Sequence, residues 1–203
     1  VDRNYHEIAY GLNRQFGPEG MYRGIDLYNF VDNHDVDRVA SKLGDPALLY
    51  PLYLLLFTMP GVPSVYYGSE WGIEGVKGEW SDAPLRPALN LAKEITQPPE
   101  SDLANVIVQM TRIRNDSKAL RYGDYQQVFV SDQQLCFQRK HEEELFLIFL
   151  NSSSAETELK IQLSVEAGAF ADELNKNEHY ALKNGQISLL VPPLWGRVLR
   201  IIS

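Results

Sequence analysis

Ile25-Asp26-Leu27-Tyr28-Asn29-Phe30-Val31-Asp32-Asn33-His34-Asp35 is an apolar run that closes on a polar cluster, and Asp37-Arg38 follow it. Ile25–Val31 reads as a mostly buried strand, since the run is short and bounded by polar residues. What lies downstream gives this reading its weight. Asp45-Pro46 pairs an N-cap residue with a proline at the first helical position. The segment Leu48–Met59 is apolar on nearly every side, so it predicts a helix covered all round. It falls short of the ~20 apolar residues a bilayer span needs, and it contains Pro51. Pro60-Gly61 ends it. Val62-Pro63-Ser64-Val65-Tyr66-Tyr67 then reads as a second strand, its proline tolerable near the start. Strand, helix and strand over this length make a βαβ unit, which implies parallel strands and a right-handed crossover.

Parallel α/β folds bind ligands at the carboxyl ends of their strands. The first predicted strand ends in Asp32-Asn33-His34-Asp35 and the second in Gly68-Ser69-Glu70-Trp71. Carboxylates and an indole on one rim offer acceptors for hydroxyl groups and a flat apolar platform, a combination that suits a sugar. The same stretch also reads as a polar turn that caps the next helix. A loop carboxylate such as Glu70 is often simply solvated or ion-paired.

On the N-terminal side, Tyr5, Ile8, Leu12 and Phe16 recur every three or four residues, which predicts a helix over 4–16 with Asp2 as its cap and Gly17-Pro18 as its stop. Leu103, Val106, Ile107, Met110 and Ile113 predict a further helix with Ser101 as its cap. After Ser117 the period changes. Leu159, Ile161 and Leu163 alternate with Glu158, Lys160 and Gln162, and Leu145–Leu150 is a short buried run. Asn184-Gly185 between two strand-like segments signals a hairpin with a type I′ turn, and Val198–Ile202 is a last strand. Several short strands in succession predict an antiparallel β-sandwich. The expected organisation is an α/β part over 1–117 and an all-β part over 118–203.

Composition narrows the partners. The 203 residues carry 19 Lys+Arg against 27 Asp+Glu, a net charge of −8. No basic surplus exists to neutralise phosphates, so nucleic acid and anionic membrane are excluded as expected partners. A single cysteine, Cys136, rules out an internal disulfide framework and a cysteine zinc cage, and it reads as a small buried hydrophobe. His6, His141 and His179 read as surface or structural residues. The absence of disulfides leans toward a cytoplasmic location over a secreted one. Gly68-Ser69-Glu70-Trp71-Gly72 is not a nucleophile elbow, because its serine is one position early. Asn115-Asp116-Ser117 and Asn151-Ser152-Ser153 fit the glycosylation pattern.

Phe30-Val31-Asp32-Asn33-His34-Asp35 resembles the last conserved motif of the α-amylase family of glycoside hydrolases, at the end of the seventh barrel strand. Pro60-Gly61-Val62-Pro63-Ser64-Val65-Tyr66-Tyr67-Gly68-Ser69-Glu70 resembles that family's eighth strand and the loop after it. Arg112-Ile113-Arg114 through Tyr125 looks like its last barrel helix and the entry to its C-terminal sandwich. The resemblance implies a partial (β/α)8 barrel, contributing only its last strands and helices, followed by an antiparallel β-sandwich.

By that resemblance Asp35 is the third catalytic-site carboxylate, which bonds the hydroxyls of the scissile sugar and favours the oxocarbenium-like transition state. His34 bonds the same ring. Tyr67 and Trp71 are substrate-binding aromatics or core aromatics at the rim, while Asn33 and Arg38 support the loop from behind. Arg86 falls where many relatives carry an arginine, but Ser81–Pro87 matches loosely and Arg86 stays outside the candidate set. A retaining mechanism needs two further carboxylates about 5 Å apart, which the family carries on its fourth and fifth strands. A complete barrel takes about 250 residues.

The chain is therefore expected to be the C-terminal portion of a larger enzyme acting on α-1,4-glucans such as starch and maltooligosaccharides, and to be inactive alone. No metal or cofactor is expected in it, with calcium an option in the intact parent. Two barrel strands without neighbours leave apolar surface bare. Phe30, Val31, Val65 and the Leu52–Phe57 helix are expected to lose partners, and the chain to survive by self-association, domain swapping or packing its helices on the sandwich. The competing reading is a non-catalytic carbohydrate-binding or structural module, for which Trp195 is the one aromatic to consider. A packing role suits Trp195 better.

Overall fold

The computed structural model describes residues 4–90, 92, 102–164, 168–175 and 178–202. Helix α1 spans Tyr5–Phe16, with Asn4 as its cap: the Asn4 side chain accepts the His6 N–H at 2.8 Å. The expected caps Asp2 and Ser101 lie outside the described residues. The buried stripe of α1 is Tyr5, Ala9, Leu12 and Phe16, while Ile8 is exposed. The small Ala9 lies in the stripe's centre and lets the helix approach the sheet, so Ile8 falls at its edge.

Strands β1 (Tyr28–Phe30) and β2 (Val62–Ser64) run parallel, with Tyr28 opposite Val62 and Phe30 opposite Ser64. Between them lie α2 (Val39–Lys42), a 3-10 turn at Pro46–Leu48 and α3 (Leu49–Thr58). Asp45 caps the turn by accepting the Ala47 N–H at 3.0 Å, as the Asp-Pro signature predicts. The expectation of a mostly buried first strand needs correction: Tyr28 is 67% exposed, Phe30 43% and Val62 50%. A parallel strand is buried on both faces only where neighbouring strands and helices cover it, and this pair has no third strand among the described residues.

Helix α3 is buried through Leu49, Tyr53, Leu54, Leu55, Leu56 and Phe57. It does not lose its partners, contrary to expectation. It packs against α4 (Leu103–Asn115) and against the sandwich strands β5 (Glu144–Asn151) and β10 (Trp195–Ile202). Val31 and Val65 also pack, partly buried, against this core. Of the three ways the chain was expected to cover its apolar surface, docking of helices on the sandwich is therefore visible.

After α5 (Lys118–Tyr122) come β3 (Asp124–Val130), β4 (Gln134–His141), β5, β6 (Thr157–Gln162), β7 (Ala169–Asp172), β8 (His179–Ala181), β9 (Gln186–Val191) and β10. Six of these form an antiparallel sheet in the order β3-β4-β5-β10-β7-β8, and β6 pairs with β9 in a second sheet. β5 shows why Leu145–Leu150 is continuously apolar. Leu145, Leu147 and Phe149 face the second sheet, with Cys136, Leu159, Ile161, Ile187 and Val191 around them. Phe146, Ile148 and Leu150 face the helices, with Leu54, Met110 and Leu120 among their cluster. Cys136 is fully buried, which pushes its thiol well above the ordinary value.

The turn at Asn184-Gly185 has positive φ at both residues, 52° and 73°, as a type I′ turn requires. Lys183 and Gln186 exchange both backbone hydrogen bonds at 2.9 Å. The flanking strands are not hairpin partners beyond that bridge, however, because β8 pairs with β7 and β9 with β6. The turn carries the chain from one sheet to the other. Asn151 is fully buried, and its amide donates to the carbonyls of Ala155, Val191 and Pro192, so the folded chain offers no glycan acceptor there.

Two buried arginines hold the end of α3 and the turn after it, Arg114 from α4 and Arg139 from the sandwich strand β4. Arg114 donates to Phe57 O at 2.8 Å and to Gly61 O, and Arg139 donates to Thr58 O at 2.6 Å and Gly123 O at 2.9 Å. The carbonyls at the end of α3 thus meet cations, the favourable sign for a helix C-terminus. Burial pushes both guanidiniums below their ordinary value.

Candidate active site

The loop after β1 begins with a buried carboxylate. Asp32 accepts the Val39 N–H at 2.9 Å and the Ser69 hydroxyl at 2.7 Å, and so ties the start of α2 to the loop after β2. Asn33 accepts the N–H groups of Asp35 at 2.8 Å and Val36 at 3.2 Å, closing the turn from within. The capping duties of the polar stretch thus fall on Asp32 and Asn33. His34 and Asp35 are left outward, with side chains 54% and 59% exposed and Nε2 3.2 Å from Oδ2.

Arg38 is wholly buried behind them. Its Nε donates to Leu85 O at 3.1 Å, and its Nη1 donates to Tyr67 O at 2.9 Å and to Ser69 Oγ at 3.0 Å. Its guanidinium carbon lies 4.2 Å from the Tyr66 ring centroid and 5.2 Å from that of Tyr67. Arg38, Ser69 and Asp32 form one hydrogen-bonded line that fixes the two loops against each other. Tyr67 presents an exposed ring at the rim, packs edge-on to Tyr66 and donates its hydroxyl to Pro87 O at 3.1 Å. His34 lies over Tyr66 at 6.3 Å between centroids.

Trp71 behaves differently. It is half-buried on a 3-10 turn, Ser69–Trp71, that packs against α4. Among the described residues no hydrogen bond or ring contact joins it to His34 or Asp35. The structure therefore brings together Asn33, His34, Asp35, Arg38 and Tyr67, and leaves Trp71 at the flank.

Two cations that sequence reasoning did not select close the cluster from the loop after β2. Arg86 Nη2 lies 3.5 Å from Asp35 Oδ1 and 3.5 Å from Asp82 Oδ2, and its Nε reaches His34 O at 3.4 Å. Lys77 donates from Nζ to Asp35 O at 3.2 Å and from its backbone N–H to Asp37 at 2.6 Å. The Lys42 ammonium and then this Lys77 N–H hold the Asp37 carboxyl below the usual range. At these exposures such pairs add little stability, so their effect is orientation. Lys77 and Arg86 lie 42 and 51 residues from Asp35, and beyond the loose family match at Arg86 no local pattern in the sequence announces them.

Trp195 donates its indole N–H to Asn175 at 2.8 Å and packs at a tilt against Tyr50, 5.4 Å between ring centroids. That is a packing seat between α3 and the sheet. Among the described residues no group of three or more His, Cys, Asp or Glu is placed to hold a metal ion. No helix among them is long and apolar enough to cross a membrane.

A parallel strand pair with an exposed His–Asp pair on its rim, joined to an antiparallel sandwich, has counterparts among known proteins. The family described as Alpha amylase, catalytic domain, matches residues 19–118. The chain is 28% identical over 178 residues to the cyclomaltodextrin glucanotransferase of Geobacillus stearothermophilus, covering 86% of this chain and 24% of that protein. It is 26% identical over 178 residues to the α-amylase of Niallia circulans, covering 86% and 32%. The maltogenic α-amylase AmyB of Thermotoga neapolitana superposes with a TM-score of 0.77 at 19% identity, over 98% of this chain and 46% of that one. An α-amylase of Malbranchea cinnamomea gives 0.76 at 22% identity, over 97% and 41%.

Over residues 19–118 the chain matches the α-amylase catalytic-domain family, and over 86% of its length it resembles α-amylases and cyclomaltodextrin glucanotransferases. Its fold is a partial barrel plus a β-sandwich. It spans about a quarter to a third of the length of these two curated relatives.

Proposed function

We propose that the chain is the C-terminal part of an α-amylase-type retaining glycoside hydrolase acting on α-1,4-glucans, with residues 1–117 from the barrel and 118–203 from the sandwich. Asp35 bonds the hydroxyls of the sugar at the scissile linkage and stabilises the positive charge that develops on its ring. His34 donates a hydrogen bond to the same sugar, Tyr67 packs at its edge, and Asn33 and Arg38 hold the loop. Trp71 contributes from the flank. The nucleophile and the proton donor come from outside these 203 residues.

The observation that carries this reading is the division of labour in the loop after β1. Asp32 and Asn33 satisfy its backbone, while His34 and Asp35 face outward beside Arg86.

Two assays test it. The purified chain should release no reducing sugar from soluble starch; release that Asp35→Ala abolishes would place the full catalytic set within the chain. Calorimetric titration with maltoheptaose should show saturable binding that His34→Ala weakens and Trp195→Ala leaves in place. Loss with Trp195→Ala alone would favour the non-catalytic module, which the half-buried, hydrogen-bonded seat of Trp195 argues against.

A further inference from the structure

Trp80 is 90% exposed, an extreme value for a residue type that is highly buried on average. It sits in a four-residue loop closed by the Gly78 N–H on Ser81 O at 3.1 Å. The two residues at the base of that loop, Lys77 and Asp82, are themselves paired at 3.4 Å. Both are pinned to the candidate site. Lys77 bonds Asp35 O and Asp37, and Asp82 shares with Asp35 the same Arg86 nitrogen, 3.5 Å from each. Trp80 is two residues from Asp82, so their Cα atoms are at most about 7 Å apart. The loop thus holds an indole in water, tethered through Lys77 and Asp82 to the loop that carries His34 and Asp35.

We propose that Trp80 is a specificity-determining residue: a stacking platform for a second glucosyl ring of a chain bound across the His34–Asp35 rim. This rests on the functional reading above and extends it to a further subsite. The apolar C–H face of a pyranose lies flat on an indole, while its hydroxyls need polar neighbours. Lys77, Glu79 and Asp82 are polar neighbours of Trp80 in the same loop and its base, with Lys77 and Asp82 paired at 3.4 Å. A protein partner fits the surroundings poorly, since these charges break the apolar surface into a single ring rather than a contiguous patch.

The test uses the whole chain with maltoheptaose and maltose, reading affinity by calorimetry and tryptophan emission. Trp71 at the flank also reports on binding, so Trp80's own share of the emission shift is the part lost in Trp80→Phe. Trp80→Ala should weaken maltoheptaose roughly three- to tenfold, Trp80→Tyr should recover most of that, and maltose affinity should be unchanged. The thermal midpoint of Trp80→Ala should match the unaltered chain, because the ring touches little of the fold. Equal maltoheptaose affinity in Trp80→Ala, with loss in His34→Ala, overturns this proposal and leaves the functional reading standing. Failure of the unaltered chain to bind maltoheptaose, or binding indifferent to His34→Ala, overturns both.

Discussion

Asp32, Asn33, His34 and Asp35 are consecutive, yet their exposures divide them into a pair that holds the loop and a pair that faces outward. The difference is hydrogen bonding. Asp32 is buried because two donors reach it, the Val39 N–H and the Ser69 hydroxyl. Removing it strands both donors, and an unsatisfied buried group costs about 1–3 kcal/mol. Asp32→Ala should therefore destabilise the chain by about 2–4 kcal/mol in urea unfolding, and Asp32→Asn by less, since one acceptor oxygen remains. Asp35→Ala, at an exposed position, should change stability by less than about 0.5 kcal/mol. Equal losses for Asp32→Ala and Asp35→Ala would show that the loop is not divided in this way. The motif itself was legible, because carboxylates at the end of an apolar run are a local signal. Asp32's particular role was not, since Ser69 lies 37 residues away.

The elements were read well where the signal is periodic or a turn is chemically specified. α1, α3, α4 and the alternating β6 follow from spacing, and Asp45-Pro46 and Asn184-Gly185 from turn chemistry. The misreadings share one cause. Exposure of β1 and the separate sheets flanking Asn184-Gly185 both depend on which strands lie alongside, which no short window contains. Gly61 shows a constraint of the same non-local kind. It has φ of 96°, and a Cβ there would meet Leu27 O and the Asn29 amide. Gly61→Ala should cost at least about 1–2 kcal/mol from the backbone alone, with a further loss from displaced β1; an unchanged urea midpoint would refute this.

The β7–β10 junction makes a pH prediction. The Tyr180 hydroxyl and Arg197 hold the Glu178 carboxyl below its ordinary value. A depressed folded value means stability present above the unfolded value, ~4.3, and lost as pH falls through the lower folded one. Glu178→Gln should flatten that acid limb in a series of thermal melts, and the neutral-pH midpoint should fall slightly. An acid limb as steep in the variant as in the unaltered chain would show that Glu178 is not its source.

At the scale of the molecule, the sandwich serves as the surface on which the barrel helices close. Phe146, Ile148 and Leu150 of β5 share one core with Leu54 and Leu56 of α3 and with Met110 of α4, and Arg114 and Arg139 cap α3 from the far side. This arrangement explains how two barrel strands persist with Tyr28, Phe30 and Val62 still bare. The central claim is that the rim held by this scaffold is one wall of a glucan cleft. A proton–nitrogen correlation spectrum of the whole chain, titrated with maltoheptaose, tests it directly. The account predicts that the amides of residues 33–38, 67 and 86 shift together along one binding curve while the sandwich strands stay still. Shifts confined to β3–β10, or none at saturating sugar, would contradict it.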